Sequence, residues 1–480
     1  MARQEPPDPG LPIKLEPCGN GEFVPRPATP LARETVRRAN DAVDRNARRV
    51  GMSRRDFLRS SLGAATTLTA LAACTRESGQ TGGTFVVDPE STTTAPTGGG
   101  GGSGGDTAPD VTLDAEAADR AVGAIDEEFI FDVQGHLLEL EPGEAAPGFP
   151  QSACGEADPG DCYSIDHFLE LVFVESDTHM AMLSAIPFAS GALSPEVMER
   201  TMEAADGLGC RDRVLMQGES FPTSLGLDAM AAVAADFPVR AFKTYTHAGG
   251  PSWRLDDDVG DAYLEQVRAV GVPIVAVHKG LSGNDPASSP ADIGPAAAGH
   301  PDIDLLVYHS GYESGLTEGP YDPSTADVGV NRLIASIEAA GIGPGGNVYA
   351  ELGSTWRTLM TRPDEAAHLL GKLLLTVGED NILWGTDSIW YGSPQDQIQA
   401  FRTFQITAEF QDRYGYPELT PDIKRKILGH NAARLFDIDP ITERCTVDRD
   451  GLNRLRDERA ASTHHTHAEA AARALAASQA

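Results

Sequence analysis

The sequence predicts an α/β protein folded as a (β/α)8 TIM barrel, and three observations carry that expectation. From about residue 125 to 440 short β-rich runs alternate with helical stretches, the signature of repeated βα units and a parallel sheet. Eight runs read as strands, at 129–134, 181–187, 213–217, 239–245, 273–278, 304–309, 347–351 and 381–386, and eight is the number that closes such a barrel. Four of the runs end in a ligand-type side chain, the place where barrel enzymes keep their chemistry. An open doubly wound sheet is the alternative, although no Gly-rich phosphate loop follows the first strand.

The first run, Phe129-Ile130-Phe131-Asp132-Val133, passes into Gln134, Gly135 and His136. Side chains two apart on a strand leave the same face, so Gln134 and His136 are expected to point together into the strand's end. The later runs close on His278, His309 and Asp387. Helices are expected over Ser164–Glu175, Pro195–Leu208, Leu225–Asp236, Val259–Val270, Asp327–Ala340 and Pro363–Val377, with Gly207, Gly271, Gly341 and Gly378 near their ends. In a closed barrel His136, Lys243, Tyr245, His247, His278, His309, Glu351 and Asp387 converge on one mouth.

The chain has 480 residues, 41% of them hydrophobic, enough for a sizeable core. Its formal charge of -33 argues against nucleic acid as a partner and selects no substrate. Residues 1–51, rich in Pro, Arg and Glu, read as a disordered leader. Residues 52–74 follow as a signal-like segment, and 75–110, dominated by Thr, Gly, Ser and Pro, as a flexible linker. The barrel occupies 111–445, and 446–480 read as a charged, then Ala-rich tail in which His464, His465 and His467 are a weak metal candidate.

Ser53-Arg54-Arg55-Asp56-Phe57-Leu58 before a weakly apolar run resembles a twin-arginine export signal, and Leu71-Ala72-Ala73-Cys74 resembles a lipoprotein cleavage box. The resemblance implies export, with a lipid anchor at Cys74 on the outer face of the cytoplasmic membrane, and leaves Met1 and Met52 both open as starts. A structural amphipathic helix is the plain alternative. Outside the cytoplasm Cys154, Cys162, Cys210 and Cys445 can form disulfides. Cys154 and Cys162, which bracket a Gly/Pro/Asp-rich loop, are the expected pair, and the pairing of Cys210 with Cys445 stays open.

The motifs Asp132-Val133-Gln134-Gly135-His136, Val277-His278, His309-Ser310-Gly311, Trp384-Gly385-Thr386-Asp387 and Ile427-Leu428-Gly429-His430-Asn431 resemble the amidohydrolase superfamily in its amidohydrolase-2 branch, similar to aminocarboxymuconate-semialdehyde decarboxylase. That resemblance implies a divalent metal, with zinc as the expected ion, held by His136, His278 and Asp387, with His309 assisting. The departure is Gln134, where the family has a first His. An amide oxygen is a poorer zinc ligand than imidazole, which implies a weaker zinc site, a harder ion, or a site that works without metal.

The expected reaction is hydrolysis of an amide, ester or lactone in a small-molecule substrate. Asp387 would move the proton of the attacking water, and His309 would donate to the developing oxyanion. Lys243, Tyr245 and His247 are the candidate substrate-binding groups. Nonoxidative decarboxylation at the same site is the first alternative, with Lys243 holding a carboxylate or becoming carbamylated. A lipid-tethered binding protein without catalysis is the second, and a homodimer is an open assembly.

Overall fold

The computed structural model describes residues 8–87, 110–140, 159–187 and 191–459. Eight strands form one sheet in sequence order: β1 (Phe131–Gly135), β2 (Met180–Leu183), β3 (Val214–Glu219), β4 (Val239–Tyr245), β5 (Ile274–His278), β6 (Asp304–Tyr308), β7 (Val348–Glu351) and β8 (Ile382–Leu383). Each pairs in parallel with the next. Backbone bonds from Val133 N to Trp384 O (3.1 Å), Asp387 N to Gln134 O (3.0 Å) and His136 N to Ser388 O (2.6 Å) close β8 onto β1. The barrel expected from the sequence is therefore present, and every strand end that carries a ligand-type residue opens on one mouth.

Alternation along the strands sorts the core. Phe131, Val133, Met182, Ala241, Ala276 and Leu306 pack together inside the barrel. Their neighbours Val275, Val277, Leu305, Val307 and Val348 pack outward against the helices. Lys243 and Tyr245 continue the inward row of Ala241, and His278 that of Ala276. On β1 the row would miss Gln134 and His136, which are out of phase with Phe131 and Val133. The register corrects this: Phe131 and Asp132 pair with Met180 and Ala181, but Gly135 pairs with Leu183, so β1 carries one extra residue. A one-residue bulge swaps the faces beyond it and turns Gln134 and His136 inward.

The expected helices are found near their expected bounds, among them Pro195–Gly207, Asp258–Val270 and Pro363–Thr376. Ser164–Glu175 differs, splitting into Ile165–Leu169 and a wider turn over Glu170–Val174.

The front of the chain departs most from expectation. Residues 8–51, read as part of a disordered leader, are structured: α1 (Pro30–Val50) starts under a Thr29 side-chain cap with Pro at its first turn, and ends at Gly51 in the left-handed region. Leu31, Ala39, Val43 and Ala47, with the buried Thr35 between them, make a stripe too thin to stand out against many arginines. Next come α2 (Arg54–Leu58) and α3 (Ser61–Glu77); Leu62, Leu68, Leu71 and Cys74 of α3 are buried in the cluster that also holds α1 and the barrel's outer face. Arg54 is tied to Asp8 and Asp44. No helix among the described residues is long and apolar enough to cross a membrane.

The expected linker begins later than residue 75, because α3 runs to Glu77 and the strand Gly83–Phe85 pairs antiparallel with Phe404–Ile406. The Gly-rich run Gly98–Gly102 lies outside the described residues. The tail also starts later than 446: residues 449–459 are helical, Leu452 is buried, and Arg456 and Arg459 both bond Asp166. His464, His465 and His467 lie outside the described residues. Cys210 and Cys445 form a disulfide, settling the pairing the sequence left open. Cys162 is disulfide-bonded, while Cys154 lies outside the described residues.

Candidate active site

Burial is nearly complete at the barrel mouth, where Gln134, His136, Lys243, His278, His309, Glu351 and Asp387 are all at most 1% exposed. Desolvation therefore weighs against the charged forms of Lys243, His278, His309 and Glu351. Three of the site positions sit in backbone conformations that side chains rarely adopt: His309 (φ 60°), Ser354 (φ 55°) and Asp387 (φ 59°). Such backbone cost clusters where a side chain must be aimed at a shared point.

The structure divides the expected ligands into two linked groups. In the first, Asp387 Oδ1 lies 3.1 Å from His136 Nε2 and 3.1 Å from Gln134 Nε2. Asp387 Oδ2 accepts from Asn20 Nδ2 at 2.8 Å and from the Ser354 hydroxyl, which also meets Tyr391. Burial alone would raise the Asp387 carboxyl, but the interaction with His136 and that with the Ser354 hydroxyl hold it below the usual carboxylate range. His136 stacks on Trp390 with ring centroids 5.5 Å apart.

In the second group His278 and His309 meet edge to face, with ring centroids 4.7 Å apart. His278 Nε2 lies 3.1 Å from Glu22 Oε2. His309 Nδ1 lies 2.7 Å from the Gly353 carbonyl. A carbonyl can only accept, so Nδ1 carries the proton and Nε2 presents a lone pair. Burial lowers both imidazoles, so each is neutral near pH 7. This tautomer changes the role expected of His309: a neutral ring bonded this way accepts at Nε2 and has no proton there to give an oxyanion.

The remaining predicted residues line the same space. Tyr245 stacks on His278 at 4.5 Å, and His247 is 5.0 Å from the same ring. Lys243 Nζ lies 3.4 Å from the centre of the Tyr308 ring, and burial lowers its ammonium to about 7. Glu351 takes the His309 backbone N–H at 3.0 Å and is pushed up to about 8 by burial.

Glu22, Asn20, Ser354 and Tyr391 were not singled out by sequence reasoning. Ser354 and Tyr391 lie within six residues of strand ends that were, so distance from the ligand motifs alone could have suggested them. Glu22 and Asn20 carry no such signal: they come from an irregular Pro-rich stretch with neither period nor motif.

The donors present suit a divalent metal. Neutral imidazoles and carboxylates are the ligands zinc and its neighbours take. Three ligand atoms, from Glu22, His278 and His309, lie within 4.8 Å of one another. His309 Nε2 and Gln134 Oε1, both buried, have no hydrogen-bond partner among the described residues.

Residues 204–438 match the Amidohydro_2 family model, described as amidohydrolase. The match takes in β3 to β8 and the helix Asn431–Phe436 but neither β1 nor β2, so Gln134 and His136 stand outside it. With the closed barrel and its buried cluster, the match marks this chain as an enzyme whose residues 204–438 are similar to the amidohydrolase family. No curated protein matches the chain. Among solved structures, 2,6-dihydroxybenzoate decarboxylase from Rhizobium is 16% identical with a TM-score of 0.40, over 65% of this chain and 99% of that one. A TIM-barrel protein from Bordetella bronchiseptica is 13% identical with a TM-score of 0.40, over 64% and 98%. Amidohydrolase 2 from Bifidobacterium longum subsp. infantis is 13% identical with a TM-score of 0.38, over 65% and 100%.

Proposed function

We propose that the chain is a metal-dependent hydrolase that attacks an amide, ester or lactone of a small molecule with activated water, and that zinc is its metal. The observation that carries this reading is the convergence of two neutral imidazoles, one of which, His309, has a lone pair on Nε2 with no partner among the described residues, beside the ionised Asp387. When bound, the metal supplies an acidified water and a Lewis acid for the carbonyl. His136, His278 and Asp387 are the proposed ligands. Asp387 takes the proton of the attacking water and returns it to the leaving group, which requires the Asn20 amide to release Oδ2 first. His309 assists, its ring fixed by the Gly353 carbonyl so that the Nε2 lone pair faces the space shared with His278 and Glu22. Metal analysis of the purified protein, with a screen of esters, lactones and aromatic acids, tests the proposal; turnover of none of the first two classes by the metal-loaded protein overturns it.

Lys243 favours nonoxidative decarboxylation as a second reading. Its Nζ is fully buried and has no hydrogen-bond partner among the described residues, so a substrate carboxylate would supply the missing acceptor. Carbon dioxide release from aromatic acids in the same screen would select it.

Export by the twin-arginine route and lipidation at Cys74 form a separate proposal, supported by the order of the motifs and by the disulfide between Cys210 and Cys445, a bond of oxidising compartments. Cys74 is buried in this structure, so α3 would have to leave its packing before cleavage.

A further inference from the structure

The N-terminal segment reaches the centre of the barrel mouth through a tight turn, Gly19-Asn20-Gly21-Glu22. Asn20 Oδ1 accepts from the Glu22 backbone N–H at 3.0 Å, and Gly21 sits at φ 96°, a conformation that glycine adopts without cost. Barrel residues clamp the segment on both sides of the turn. Before it, Lys14 Nζ donates to the Tyr391 carbonyl at 2.6 Å and Arg357 to the Glu16 carbonyl at 3.2 Å, with Ile13 and Leu15 buried. After it, Arg26 pairs with Glu365 at 2.7 Å and Arg362 donates to the Pro27 carbonyl at 3.0 Å. The turn is thus built to deliver the Glu22 carboxylate.

What it is delivered to is a pair of buried imidazoles. Glu22 Oε2 lies 3.1 Å from His278 Nε2, and one ligand atom each from Glu22, His278 and His309 falls within 4.8 Å of the others. His309 Nε2, fully buried, has no hydrogen-bond partner among the described residues and carries a lone pair, since its other nitrogen donates to Gly353. Placing a partly buried carboxylate beside Asp387 is costly, and of the cationic side chains described in the mouth only Lys243 is at hand. A divalent cation would balance both carboxylates.

We infer that Glu22 is a metal ligand of this enzyme, supplied by the N-terminal segment to His278 and His309 and making up for the imidazole that Gln134 does not provide. The inference rests on the metal-dependent reading above. Its consequence is a centre whose donor set is completed by a segment outside the barrel.

The test uses the full chain, with zinc affinity measured by chelator competition and the absorption spectrum recorded after cobalt substitution. Glu22→Gln keeps the size and removes the charged ligand, so zinc affinity is expected to fall by about tenfold or more and the cobalt bands to shift. Zinc-edge anomalous diffraction from the unaltered protein gives a readout that does not depend on the variant folding: the ion is expected at about 2.0–2.2 Å from a Glu22 oxygen. Unchanged affinity and spectrum in Glu22→Gln, or an ion bound away from Glu22, overturns the inference and leaves the hydrolase reading standing. A wild-type protein that takes up no divalent metal overturns both.

Discussion

The side-chain nitrogen of Asn20 lies 2.8 Å from Asp387 Oδ2 and 2.8 Å from Glu22 Oε2, so one neutral amide holds a buried and a partly buried carboxylate together. Asn20→Asp would replace that donor with a third carboxylate. The variant is expected to lose roughly 1–3 kcal/mol of stability in the presence of a chelator, through a lost donor and added repulsion. Zinc is expected to restore most of the loss. Thermal unfolding with and without the metal checks it, and equal midpoints for variant and wild type in chelator would count against the amide's bridging role.

Asp387 receives donors from four side chains and is the carboxylate that the proposed reaction uses. Asp387→Asn keeps the shape and removes the proton carrier. Turnover is expected to fall by about 10²–10⁴-fold with the circular dichroism spectrum unchanged. Should Asp387→Asn and His278→Ala both leave metal content and activity intact, the site assigned here is wrong.

Glu351 gives a pH signature. Burial raises its carboxyl from an ordinary 4.5 to about 8, so between those values the folded chain keeps a proton that the unfolded chain has lost. Stability therefore falls as pH rises through that window, by at most about 1.4 kcal/mol per pH unit from this group. Glu351→Gln removes the slope, and urea titrations at pH 5 and pH 7 are expected to show the variant gaining on the wild type at the higher pH. Lys243, lowered from 10.5 to about 7, acts with the opposite sign at higher pH, which is why the comparison stops at 7.

Cys210 and Cys445, 235 residues apart in sequence, tie the helix Pro195–Gly207 end to the segment that follows the barrel. Replacing both with serine is expected to cost roughly 5.5 kcal/mol by the loop-closure argument, read as a lower denaturant midpoint in non-reducing buffer. A midpoint within error of the wild type would show that the bond adds nothing.

Arg54→Lys with Arg55→Lys is expected to trap the protein in the cytoplasm under the export proposal, and unchanged recovery in the membrane fraction would refute that route. Cleavage before Cys74 would also remove Asn20 and Glu22, so zinc affinity should be compared between the precursor and any processed form.

The barrel was legible because its pattern is repeated. Each βα unit states its period, and the runs ending at His278, His309 and Asp387 place their ligands without help from distant sequence. Strand β1 was legible for a partly wrong reason: Gln134 and His136 do share a face, but they face inward only because of the added residue between Asp132 and Gly135, which parity alone does not reveal. The N-terminal segment was not legible. Its contacts are single hydrogen bonds from residues such as Lys14, Asn20 and Glu22 to partners hundreds of positions away, and no local period records a pairing of that kind.

The strand Gly83–Phe85, laid antiparallel against Phe404–Ile406, fixes how far the enzyme could stand from a membrane. With that strand docked, the slack between a lipid on Cys74 and the barrel is the chain from 74 to 83, at most about 30 Å when fully extended. The Gly-rich run at 98–102 falls on the far side of the docked strand and adds nothing to this reach. An anchored enzyme of this design would work within a short radius of the bilayer surface, on substrates that arrive there, rather than sweeping the surrounding volume on a long leash.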